Sequence, residues 1–324
     1  MNTTELISLL AIAVAAAAPI VIAAIGETIT ERVGVINLSA DGVILLAGLG
    51  GFVAAQTTKN VWIGFVAAAI VGSLVALVVA FGAITLKQSQ TAIGFVLALL
   101  CTDLSSFLGA PFVLTDAPRV PSWPLPLLSD IPYLGPILFH ADAVVYFTYL
   151  LIGVSWFYFY KTRPGLLLRS VGEQPSAAFA RGVPVIATRY LYTIVGGALV
   201  GIAGAAFTLD IKAGWTFRHV AGYGWIALSL VIFGGWNPLK VALGAYLFGI
   251  TQSLLGKAQS VVTLIPSQVF PILPFVFMIL VLMVSSGDLV DRMARLFPLG
   301  VRRALLRTLR ATPPNSLGKP FEQD

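Results

Sequence analysis

Asn37 and Asp41 stand four residues apart in a long apolar run, a spacing that places both side chains on one face if the run is helical. A carboxamide and a carboxylate so placed can bind hydroxyls, hold a proton or an ion, or hydrogen-bond to neighbouring helices. Asp103 is a further acid inside an apolar run, and Trp225 offers an aromatic face to a ring-containing solute or to a membrane interface. Ionisable groups at membrane depth are costly and usually face a cavity or a partner, so Asn37, Asp41, Asp103 and Trp225 are the candidates for a solute pathway. Asp210, Lys212, Arg218 and His219 gather before a short apolar run. An interrupted helix there would leave backbone groups facing a pathway; an ordinary solvated loop is the alternative.

Reactive constellations are missing from this list. The chain holds no GxxxxGK[ST] string to cradle phosphate, no H-E-x-x-H pair and no G-x-S-x-G elbow. Cys101 is the single cysteine, and His140 and His219 are too few and too far apart in sequence for a zinc cluster. The expectation is a conduit with no catalytic residue, no metal site and no cofactor of its own.

The elements that must position these residues are membrane helices. Hydrophobic residues make up 58% of the 324 and charged residues 10%, against about 25% charged in soluble domains; mean hydropathy is +0.92. Taking roughly 20 apolar residues per crossing, the expected spans are Glu5–Ile25, Val33–Ala55, Val61–Leu86, Thr91–Leu108, Ala143–Tyr160, Tyr190–Leu209, Pro238–Leu255 and Phe270–Ser286, with Trp225–Phe233 as a half-span. No basic start or convincing cleavage site marks the first run as a signal peptide, so it is read as a mature helix. Glu27, Glu31 and Arg32 are expected to punctuate its end. The small residues from Gly196 to Ala206 permit close helix packing.

Charge sets the orientation. Twenty Lys plus Arg against 14 Asp plus Glu give +6, concentrated in the insert 161–189 and the C-terminal tail. Both belong in the cytoplasm by the positive-inside rule, and membrane orientation explains the surplus better than a nucleic-acid partner. The proline-rich stretch 109–142 carries only Arg119 and belongs outside. The expectation is therefore an all-α polytopic bundle of about nine crossings, N-terminus outside and C-terminus inside. Residues 1–290 form the transmembrane domain and 291–324 a basic tail. The beginning of the tail, 291–310, can lie as an amphipathic helix on the anionic inner leaflet. Its end, ATPPNSLGKPFEQD, is polar and expected to be disordered.

Within the insert, Pro175 suits a first helical position, Glu173 complements a helix start, and Gly182 can end the helix. Ala177, Ala178 and Ala180 would let another protein approach closely.

Three segments resemble the permease subunits of bacterial ABC importers for nucleosides, simple sugars and branched-chain amino acids. They are ERVGVINLSADGVIL (31–45), RSVGEQPSAAFARGV (169–183) and GYGWIALSLVIFGGWNPLKVALGAYLFG (222–249). The last is most similar to the nucleoside-type branch. Gln174 replaces a usual Asn, and Ser39-Ala40-Asp41 replaces a usual Gly-x-Glu, keeping the acid one methylene shorter. The resemblance implies a permease of the bacterial inner membrane, most similar to those importing nucleosides, with sugar or branched-chain amino acid import as the alternative. Its partners would be a second permease, an external binding protein and a cytoplasmic ATPase that binds ATP and Mg. Gly172, Glu173, Gln174, Pro175, Ala177 and Ala178 would dock the ATPase. An ion-coupled secondary transporter, with Asp41 and Asp103 carrying protons or sodium, is the rival class.

Overall fold

The computed structural model describes residues 2–113, 115–126, 128–261 and 312–322, with isolated positions between 272 and 283. Among the described residues the regular secondary structure is helical, apart from one bridge between Ser122 and Asp142, and the stretches 115–126, 128–133 and 312–322 are irregular. Among the described residues seven helices are long and apolar enough to cross a membrane, and Tyr223–Phe233 is a shorter apolar helix. The expected final span lies largely outside the described residues, as does the tail segment 291–310 proposed to rest on the leaflet.

Helix α1, Thr3–Arg32, is 30 residues long and holds Pro19 inside it. At 1.5 Å per residue it extends about 45 Å, more than the hydrocarbon thickness of about 30 Å. Its last turns therefore have helical backbone bonds but need partners for polar side chains. That corrects the expected end at Ile25: Glu27 and Glu31 do not stop the helix, since both are buried within it and find hydrogen-bond partners from other segments.

Helix α2, Ala40–Thr58, begins later than the apolar run suggests. Gly34 takes a φ of +97°, which a side chain rarely adopts, and this turns the chain out of α1. Asn37 Oδ1 then accepts from Ser39 N at 3.2 Å and from Ser39 Oγ at 2.5 Å, a local bond that competes with helix and fixes the turn. Asn37 and Asp41 thus do not share a helix face.

Helices α3 (Val61–Ala80) and α4 (Gln90–Gly109) follow, then α5 (Ala143–Lys161). The basic insert folds as α6 (Arg163–Glu173) and α7 (Pro175–Ala180), two short helices where the proline and glycine signals indicated one. Helix α8, Val185–Ala206, crosses α1 and α3. Its glycines explain how closely: a Cβ at Gly196 would strike Thr30 Oγ1, and one at Gly197 would strike Ala76 Cβ. Single π-turns, Phe81–Thr85 and Phe207–Ile211, prolong α3 and α8. Helices α9 (Tyr223–Phe233) and α10 (Pro238–Val261) complete the described bundle.

Candidate functional site: a docking elbow tied to a half-helix

The elbow is built from local rules. Thr162 Oγ1 accepts from Gly165 N at 3.1 Å and caps α6, whose first turn also holds Pro164. Pro175 opens α7, and Gly182, at φ +83°, closes it with its N–H donating to the Phe179 carbonyl at 2.8 Å. Gly172 sits on the end of α1, where a Cβ would strike the Arg32 carbonyl. Glu173 ends α6 instead of opening α7, and its Oε1 lies 3.9 Å from Arg32 Nη1. Gln174 is exposed at the kink and Pro175 is half-buried. Ser176, Ala177 and Ala180 face outward, whereas Ala178 is buried against the bundle.

Arg32 carries the connection inward. Its Nε donates to the Trp236 carbonyl at 2.9 Å and its Nη2 to the Gly235 carbonyl at 3.4 Å, on the turn after α9. Trp236 Nε1 returns a bond of 2.5 Å to Glu31 Oε2. One turn earlier in α1, Glu27 Oε1 accepts from Asn37 Nδ2 at 3.0 Å, and Gln90 Oε1 of α4 accepts from Ile36 N at 2.8 Å. A buried polar network is favourable only when its members find partners. Here the partners come from segments up to 205 residues apart, and Glu27 Oε2 is left without one among the described residues.

The other end of α9 is held by Asp41. Its Oδ1 accepts from Gly222 N at 2.7 Å and from Gly224 N at 3.0 Å. A carboxylate there satisfies orphan donors and complements the positive helix end. Gly224 is required, since a Cβ would run into the Asp41 backbone. Its depth follows from the neighbouring helix: Gly42 abuts Ala98, eight residues into α4 and so about 12 Å along its axis. The half-helix α9 starts inside the bundle and runs 11 residues to the turn that Arg32 grips.

Beside its start lies a cavity of about 380 Å³, whose lining includes Lys212, His219, Tyr223, Phe248, Gln252 and Phe275. Gln252 Nε2 donates to the Tyr223 hydroxyl, and the Tyr223 ring meets Phe207 edge-on at 4.8 Å. Of the sequence candidates, the structure brings Asn37 and Asp41 into neighbouring parts of the network. It sets Asp103 apart, exposed and paired with Arg218 at 2.9 Å. Trp225 is turned toward Phe95, with ring centroids 6.2 Å apart, and does not line the cavity. The sequence reading missed Glu27, Glu31, Arg32 and Trp236 as one unit. Two acids four residues apart in α1 were its available signal.

The three motifs are therefore one contiguous structure. The family model described as "Branched-chain amino acid transport system / permease component" matches residues 9–282. "Nucleoside ABC transporter permease protein NupC" of Lactococcus lactis is 32% identical over 282 residues, covering 83% of this chain and 89% of its own. "Guanosine ABC transporter permease protein NupQ" of Bacillus subtilis is 31% identical, with 82% and 88% covered. "Putative glucose ABC transporter permease protein TsgC13" of Haloferax volcanii is 39% identical, with 76% of each chain covered. Matched over most of its length and built around the motifs that carry the resemblance, the chain belongs to this permease-component family of ABC transporters and is a multi-pass membrane protein.

Proposed function

We propose that the chain forms half of the translocation path of an ATP-driven importer, with a nucleoside as cargo. The observation that carries this is the polar link from the α6–α7 elbow, through Arg32, to the turn that ends the half-helix α9, whose start lies beside the cavity. An ATPase gripping the outward face of α7 at Ser176, Ala177 and Ala180 would bias the position of α9 through that link. Coupling then requires the ATPase to contact the two positions differently. A second permease pairs with this one, and an external binding protein delivers the cargo. ATP and Mg belong to the separate ATPase. The topology is nine crossings, N-terminus outside and C-terminus inside, supported by the shared side of the elbow and the 312–322 segment.

A cargo with a ring and hydroxyls fits the lining, and the start of α9 is closed to a cargo carboxylate. The N-terminus of α9 is where a free carboxylate would be held, and Asp41 already fills it. The cavity offers the aromatic faces of Tyr223, Phe248 and Phe275 and the amides of Gln252 and Gln259, suited to a ring and hydroxyls, with Lys212 and His219 beside them. The 32% and 31% identical nucleoside and guanosine permeases favour nucleosides, and the 39% identical chain named for glucose keeps a sugar as the second reading. Uptake of labelled guanosine, glucose and leucine by cells expressing the whole transporter, with the proton gradient dissipated and ATP preserved, separates these readings. Guanosine uptake that survives is expected. Uptake lost with the gradient would favour an ion-coupled carrier, and glucose uptake alone would move the cargo to sugars.

A further inference from the structure

The polar end of the tail, expected to be disordered, is held in place at residues 312–322. Ser316 is 5% exposed, and both its N–H (2.9 Å) and its Oγ (2.7 Å) donate to the Gly172 carbonyl at the end of α6. Arg189 of α8, 1% exposed, donates from Nη2 to Ser316 Oγ at 3.2 Å and from Nη1 to the Lys319 carbonyl at 3.1 Å. Gly318 N donates to the Gly34 carbonyl at 3.2 Å, on the turn after α1. We propose that this segment is a strap that positions the docking elbow, with Ser316 and Arg189 as its positioning residues.

Two features make the strap fitted and not incidental. Gly34 lacks a Cβ where one would stand 2.7 Å from Ser316 Oγ, and the two described bonds of the Arg189 guanidinium both end on the strap. Without the strap the Arg189 guanidinium would lose both of these acceptors. The elbow also needs support: helices of 11 and 6 residues are too short to be stable on their own in water. The strap reaches α7 as well, where Phe321 meets the Phe179 ring at 5.8 Å. Lys87 and Glu322, 3.7 Å apart but exposed, add little.

The covered face decides between a brace and a plug. The strap lies against the Gly172 side of the elbow, while Ser176, Ala177 and Ala180 stay open. A segment that blocked the ATPase would cover that open face. The strap therefore holds the elbow in the shape in which it docks, a role that rests on the proposed function of α7.

The test uses the complete transporter in proteoliposomes, with Phe179→Cys and Phe321→Cys in a Cys101→Ala background. A short bis-maleimide should bridge the two positions, and the bridged transporter should keep the stimulation of ATP hydrolysis by loaded binding protein that the same double-cysteine variant shows before bridging. Ser316→Ala, which deletes the side-chain bonds, should lower that stimulation about threefold to fivefold. Failure to bridge, loss of stimulation on bridging, or full stimulation in Ser316→Ala would each overturn the proposal. Bridging reports the seat of the strap whether or not α7 meets the ATPase, whereas Ala177→Arg tests the docking itself.

Discussion

At the scale of single residues, two acids do opposite jobs. Asp41 closes the start of α9 and Glu31 holds the turn at its end, through Trp236. Asp41→Asn keeps an acceptor oxygen but removes the charge that favours a helix N-terminus. Transport is expected to fall about tenfold, the rate equivalent of about 1.4 kcal/mol. The amount of assembled complex, read by co-purification of the subunits, should stay near parental; equal losses would mean that Asp41 only maintains the fold. Trp236→Phe leaves Glu31 Oε2 without its donor in a buried site, which costs about 1–3 kcal/mol. The thermal midpoint of the detergent-solubilised permease should drop, and an unchanged midpoint would show that the Trp236 bond contributes nothing. The sequence exposed Asn37 and Asp41 because polar residues are conspicuous in an apolar run. It did not expose the partners of Asp41, because Gly222 and Gly224 contribute only backbone N–H groups, and no residue type announces those.

At the scale of elements, composition fixes helices readily and their ends poorly. The spans of α3, α4 and α5 sit near the expected limits because polar turns bound them, whereas α8 starts five residues earlier than expected. Helix α2 starts seven residues later than expected because Gly34 and Asn37 impose a turn inside a hydropathic run. The signal was present as a glycine and an Asx residue, but hydropathy outweighed it. Small residues, by contrast, predict contact well. Gly72 of α3 faces the Gly197 carbonyl of α8, and Gly201 faces the Ala68 carbonyl. Gly72→Val should force the two helices apart at a cost of about 1–3 kcal/mol, seen as a lower thermal midpoint and lower yield. Gly153→Val, where nothing lies within 4 Å of an added Cβ, is the control and should change neither.

At the scale of the whole molecule, the central claim is that the elbow couples an ATPase to α9. The small residues of the insert were legible in the sequence, but their directions were not. Ala177 is exposed and Ala178 is 4% exposed and packed, a difference set by how α7 lies on the bundle. An arginine at 178 would disrupt the elbow itself, so Ala177→Arg is the informative change: it adds bulk and charge on the open face alone. The direct measurement is ATP hydrolysis by the reconstituted complex with and without loaded binding protein, together with the amount of ATPase retained on the permease. Ala177→Arg is expected either to release the ATPase or to abolish the response to loaded binding protein. A variant that inserts normally, keeps its ATPase, responds fully and transports at the parental rate would contradict the assignment of α7 as the coupling contact.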